Sequence, residues 1–262
     1  MLPILFQDEH LIAIHKPSDL LVHRTSLDAY ETRFAVQLLR DQIGQHVYPA
    51  HRLDKATSGV LLFGLNPNVA RTLSMQFTAR EIHKQYLAIV RGWPSETGSI
   101  DHPLELRKDD AELFGDEVPK GAQASQTEFR RLATIELPWT VDKYPSSRYA
   151  LVELNPITGR RHQIRRHLKH ISHPIIGDST YGKGNHNRAF AQAFGVNRLL
   201  LACLKMTFPH PISGQRMTVS APLAADFSRV VAELAWLGTL TDYNISHEPP
   251  QANQNRQRQI FV

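Results

Sequence analysis

Apolar and polar positions alternate over two short stretches at the start of the chain, Ile4–Phe6 and Leu11–His15, separated by Gln7-Asp8-Glu9-His10. Period-two alternation broken by a polar turn predicts two β-strands. After Lys16-Pro17-Ser18-Asp19, the residues Phe34, Val36, Leu38, Leu39 and Ile43 recur mostly at helical spacing. They predict a helix over Thr32–Ile43, stopped by Gly44. The polar loop His51–Gly59 feeds an apolar strand at Val60–Phe63. Asn66 and Pro67 then read as the cap and first residue of a helix running to Arg80. Further strands are expected at Tyr86–Val90, Thr127–Ile135, Arg148–Leu154, Leu199–Met206 and Met217–Ser220, with helices at Arg161–His170 and Asp226–Leu237. Residues 94–126 are polar, with little regular structure expected beyond one weak hairpin. Strands and helices interleave without strict alternation, so one mixed α+β domain is expected over 1–243. The Asn- and Gln-rich segment 244–262 is expected to be a disordered tail.

Composition adds exclusions. The chain has 262 residues, 42% of them apolar, which is enough for a proper core. A lone cysteine, Cys203, rules out a disulfide framework, and its apolar surroundings Leu199–Leu204 place it in a buried strand. No apolar stretch approaches the ~18 residues of a membrane span, and the N-terminus lacks a signal peptide's basic flank and cleavage site. A cytoplasmic monomer is expected. The formal charge of +5 becomes informative once located: 154–177 holds no acidic residue but carries Arg160, Arg161, Arg165, Arg166 and Lys169. Such a stretch suits an anionic partner, or simply a solvated helix face.

Two constellations carry candidate chemistry. Asp54 lies between Arg52 and Lys55; neighbouring cations keep a carboxylate ionised, fit to act as nucleophile or base. The same spacing also describes a surface loop in which Asp54 merely pairs with Arg52. In the predicted helix 161–170, Ile164, Leu168 and Ile171 form a docking stripe. Arg161 would stack over Arg165 and His162 over Arg166 on adjacent lines, offering planar forks to phosphate or carboxylate. His167, His170 and His173 recur every third residue, but the neighbouring arginines would repel a cation and no Cys or carboxylate completes a shell, so no metal is expected. A phosphate-cradling loop, a dinucleotide fingerprint and a nucleophile elbow are all missing, and no cofactor is expected.

The loop His51-Arg52-Leu53-Asp54 with Thr57-Ser58-Gly59 resembles the signature of the RluA-type pseudouridine synthases. Lys84-Gln85-Tyr86 with Val90-Arg91-Gly92 resembles that family's second motif. Thr158–Arg165 with His173–Asp178 resembles the third, and Arg198-Leu199-x-Leu201 with Phe208-x-His210-Pro211 the fourth. These motifs keep the family order and are jointly far more specific than any one alone. The resemblance implies a mixed, mostly antiparallel sheet with flanking helices around a catalytic cleft. It implies isomerisation of a uridine in RNA to pseudouridine. Asp54 would be the catalytic carboxylate, attacking sugar or base or removing a sugar proton. Arg165 would pair with it; Tyr86 would stack near the flipped uracil and take the C5 proton; Arg52 would fill the gap left by the base. RNA would lie on Arg160, Arg161, Arg166 and Lys169. Within the family, Asp41–Val47 and the short N-terminus most resemble the branch that modifies uridine 65 of certain tRNAs. Ribosomal RNA as target, or a non-catalytic RNA-binding or folding role, are the alternatives. Two departures stand out: Ala202 replaces a frequent histidine, and His15 a frequent asparagine. With no room before residue 1 for an extra RNA-binding domain, binding is expected to fall to the catalytic domain.

Overall fold

The computed structural model describes residues 1–23, 31–106 and 121–243; the expected tail 244–262 and part of the polar excursion lie outside them. Ten strands form one sheet: β1 (Ile4–Gln7), β2 (Leu11–Lys16), β3 (Tyr48–Pro49), β4 (Ser58–Gly64), β5 (His83–Arg91), β6 (Thr97–Asp101), β7 (Gln126–Leu137), β8 (Ser147–Pro156), β9 (Leu201–Pro209) and β10 (Arg216–Ser220). Their spatial order is β1-β2-β4-β9-β5-β8-β7-β6, with β3 beside β4 and β10 beside β9. Every pairing is antiparallel except that of β4 with β9. β9 is the seam. β5 lies along one of its edges, while β4 and β10 share the other, at Ala202–Cys203 and Lys205–Pro209 respectively.

Among the described residues five α-helices, α1 (Ala35–Ile43), α2 (Pro67–Thr78), α3 (Gln163–His170), α4 (Gly184–Phe194) and α5 (Ala225–Glu233), cover the sheet. Alternation along the strands sorts their side chains between two layers. Tyr86, Ala88 and Val90 of β5, with Cys203 and Val152, join Leu39 of α1, Leu73 of α2 and Leu168 of α3. Leu87 and Ile89, with Ala202 and Leu151, pack instead against Phe190 and Phe194 of α4 and Phe227 of α5. The expected α+β class and mostly antiparallel sheet are therefore present.

Local signals worked where a side chain meets the backbone. The Asn66 side chain accepts the Val69 N–H at 3.0 Å, capping α2 ahead of Pro67, and Gly44 ends α1 at φ 67°. Most boundaries shift by a few residues, and three of the shifts have a clear local cause. α1 starts at Ala35 because Phe34 is extended and buried. α5 ends at Glu233, with Ala235 left-handed two residues on. α3 begins only at Gln163, because His162 adopts φ 55°, so Arg161 and His162 precede the helix and do not stack over Arg165 and Arg166. The excursion supplies β6, which pairs with β7.

Candidate active site

Gly59 of β4, Cys203 of β9 and Tyr86 of β5 form one row across three strands. At ~4.8 Å per strand, the loop before β4 is therefore brought within ~10 Å of Tyr86. Gly59 is required there: at φ 116°, a Cβ would fall 2.0 Å from the Cys203 carbonyl oxygen and push β4 off the seam.

The Asp54 loop is fastened from beneath. The Thr57 N–H donates to the Asp54 carbonyl at 3.0 Å, closing a turn. Lys16 is fully buried and gives its ammonium to the carbonyls of Pro17, Leu20 and Lys55 at 2.8, 2.8 and 3.0 Å. Burial pushes this ammonium down to about 7, against the pull of Asp54. Ser18 Oγ donates to the Ala56 carbonyl and Arg198 Nη2 to Ser58 Oγ. Burial drives the His51 imidazole down to about 3; it is therefore neutral, and its Nε2 accepts the Leu62 N–H.

Asp54 finds its guanidinium in Arg165 of α3: Nη1 to Oδ2 is 3.2 Å. The other edge of Arg165 forks onto Asp178, Nε to Oδ2 at 2.7 Å and Nη2 to Oδ1 at 2.9 Å. Side-chain exposure falls from 23% at Asp54 through 7% at Arg165 to 1% at Asp178. The outer carboxylate thus faces the cleft and the inner one anchors the pair. Burial alone would raise the Asp178 carboxyl; Arg165 and the N–H groups of Tyr181 and Thr180 outweigh it and hold the group below its ordinary value. Asp178 reaches this depth because Gly177, at φ 80°, packs so tightly on the Arg198 carbonyl that a Cβ would fall 1.7 Å from its oxygen. The Tyr181 ring lies 5.1 Å from Arg165 Cζ, its hydroxyl 3.1 Å from His162 Nδ1, and His162 Nε2 sits 3.9 Å from Asp54 Oδ2.

Tyr86 lines the same cleft and is nearly buried. Burial and the neighbouring Cys203 thiol raise its phenol well above the ordinary value. The resting ring is therefore a neutral phenol, suited to stacking and donating. Taking the C5 proton would require it first to give up its own.

The basic residues divide. Arg52, Arg160 and Arg161 line the cleft, whereas Arg166 turns away to the Glu105 carbonyl at 2.9 Å, and Lys169 is exposed one turn further along α3. The three histidines also diverge. His167 is buried between Ser125 and Thr127, His170 stacks on His102 at 3.7 Å, and His173 contacts the Arg91 carbonyl. Among the described residues no cluster suited to a metal ion occurs, and no helix is long and apolar enough to cross a membrane.

Residues 10–170, enclosing the Asp54 loop, Tyr86 and Arg165, match the family model for RNA pseudouridylate synthase. The chain belongs to that family. Its members are isomerases, as the four motifs implied. The tRNA pseudouridine synthase C of Haemophilus ducreyi is 49% identical over 90% of this chain and 96% of its own; that of Vibrio vulnificus is 45% identical over 92% and 98%. Among solved structures, human RNA Pseudouridylate Synthase Domain Containing 4 superposes with TM-score 0.65 at 26% identity, covering 89% of this chain and 93% of that one.

In this pseudouridylate synthase, two supports of the site went unread in the sequence. Asp178 stands inside the third motif, yet nothing local reveals that it grips Arg165. Lys16 reads as part of a strand-breaking turn, although a lysine before Pro17, at the end of an apolar strand, was the available hint of a buried ammonium. The substitution at Ala202 lies on the opposite sheet face from Tyr86, among α4 and α5, so a histidine there would not face the cleft.

Proposed function

We propose that this synthase converts a uridine of tRNA, uridine 65, to pseudouridine, with Asp54 as the catalytic carboxylate and 1–243 as the catalytic unit. The observation carrying this reading is the partly exposed Asp54 carboxylate, held at the cleft by an Arg165 that Asp178 anchors. The tRNA assignment is supported by the relatives' names at 43–49% identity.

The target base must leave its helix to reach the cleft. The C1′–N1 bond breaks, the uracil turns, and C1′ joins C5; N1 gains a proton and C5 loses one, so product and substrate are isomers. Cleavage develops positive charge at C1′, which an ionised Asp54 opposes or captures, as carboxylates do in glycoside hydrolysis. Tyr86 stacks on the uracil, and the exposed Arg52 fills the space it vacates. Tritium release from tRNA carrying [5-³H]uridine, followed by mapping, tests the reading. Release with pseudouridine at position 65 supports it. Release from ribosomal RNA alone keeps the chemistry and overturns the substrate; silence on both points to a non-catalytic RNA binder.

The division of the basic residues gives a second expectation. Arg161→Ala should weaken tRNA binding and lower the salt slope by about one phosphate contact, roughly 0.7–0.9 in log–log terms. Arg166→Ala should do so less, because Arg166 is engaged with Glu105. Equal effects in a salt series would place the RNA along α3 rather than over the cleft mouth.

A further inference from the structure

Lys84 precedes Tyr86 by two residues on β5 and therefore shares its face. It is half-buried in the cleft wall, and its Nζ donates to one protein acceptor, the Thr158 carbonyl at 3.3 Å. An ammonium has three donors. Among the described residues no carboxylate pairs with it. Burial pushes the ammonium below its ordinary value, and the opposing influence is the Cys203 thiol. That thiol is itself driven up to about 12 by burial, so at neutral pH it is uncharged and supplies no counter-ion. The other lysines near the site are provided for: Lys16 gives its ammonium to three carbonyls, and Lys55 meets Glu31 at 2.5 Å. A partly desolvated cation with one neutral protein acceptor and no carboxylate partner is not compensated within the free protein.

We propose that Lys84 is a phosphate-binding residue inside the cleft, its ammonium taking an oxygen of a phosphate that flanks the flipped uridine. A compact point charge gains more from an anionic oxygen than from a neutral uracil carbonyl. The contact would fix the backbone of the flipped nucleotide while its base is released and turned. This inference rests on the RNA isomerase reading of the same cleft.

The test uses the full chain, a tRNA transcript carrying [5-³H]uridine, and the variants Lys84→Met and Lys84→Arg. Lys84→Met should bind the transcript about tenfold more weakly and flatten the salt slope by roughly 0.7–0.9. It should also melt at or above the wild-type temperature, because an unpaired charge has left the wall. Lys84→Arg should restore the slope. Unchanged affinity and slope in Lys84→Met would overturn the proposal. So would a lower melting temperature with a binding loss that arginine does not restore, which would make Lys84 only a strut to Thr158. Wild-type silence on tRNA would instead count against the substrate reading, whereas an active wild type matched by Lys84→Met in binding would count against Lys84 alone.

Discussion

Asp54→Ala is expected to lower tritium release from [5-³H]uridine-labelled tRNA by about a thousandfold or more, the scale seen when a reacting group is removed, with tRNA affinity nearly unchanged. The reason lies in the layering of the ion pairs. Asp54 is the outermost member, and Arg165 keeps its two-point fork to Asp178 without it. The variant should therefore fold normally, with its melting temperature close to that of the wild type. Asp54→Asn, which keeps the shape and removes the charge, should be equally inactive. Single-turnover rates and a binding titration separate the two quantities. Normal turnover in either variant would remove Asp54 from the mechanism, and a collapse of melting temperature would make it a structural residue.

Asp178→Asn should do the converse, acting first on stability. Removing one partner of a buried ion pair costs roughly 3–5 kcal/mol, and at ~2–4 °C per kcal/mol for a chain of this size the melting temperature should fall by about 10 °C. Activity should fall as well, since Arg165 would lose the two-point carboxylate grip that aims it at Asp54. The effect carries a pH signature. Asp178 lies below its ordinary value in the folded protein, so its stabilisation is complete above the unfolded value of ~3.9 and is lost as pH falls through the folded value. The melting difference between wild type and Asp178→Asn should therefore be largest near neutrality and shrink below pH 4. A difference independent of pH would sink the ion-pair account.

The sequence disclosed what depends on near neighbours. Asn66 and Pro67 mark the start of α2 because a cap is a contact across three residues, and Gly44 marks the end of α1 because only its own backbone is involved. By contrast, α4 carries no clear start signal: its buried His186, Phe190 and Phe194 keep a four-residue spacing, but it opens on Gly184-Asn185 and Lys183 offers no side-chain cap. α3 starts two residues later than its pattern predicts because nothing in Arg161-His162 announces a left-handed residue. Of the site, the resemblance picked out Asp54, Tyr86 and Arg165, which the structure brings to one cleft. Asp178 and Lys16 act on residues distant in the chain or on bare carbonyls, and no periodicity encodes such contacts.

The seam strand also dictates an order of events during synthesis. Ser58 pairs with Ala202 and His83 with Thr207, so β4 and β5 each wait for a partner encoded more than a hundred positions later. Until the chain has been made past β9, the nascent protein is two separate half-sheets with open edges, which invite wrong pairing. Pairings so remote in sequence also make folding slow. Asp54 and Tyr86 stand on opposite halves, so the last long strand to arrive both seals the edges and brings the two sides of the cleft together. A chain cut short before it would hold neither a closed sheet nor an assembled cleft.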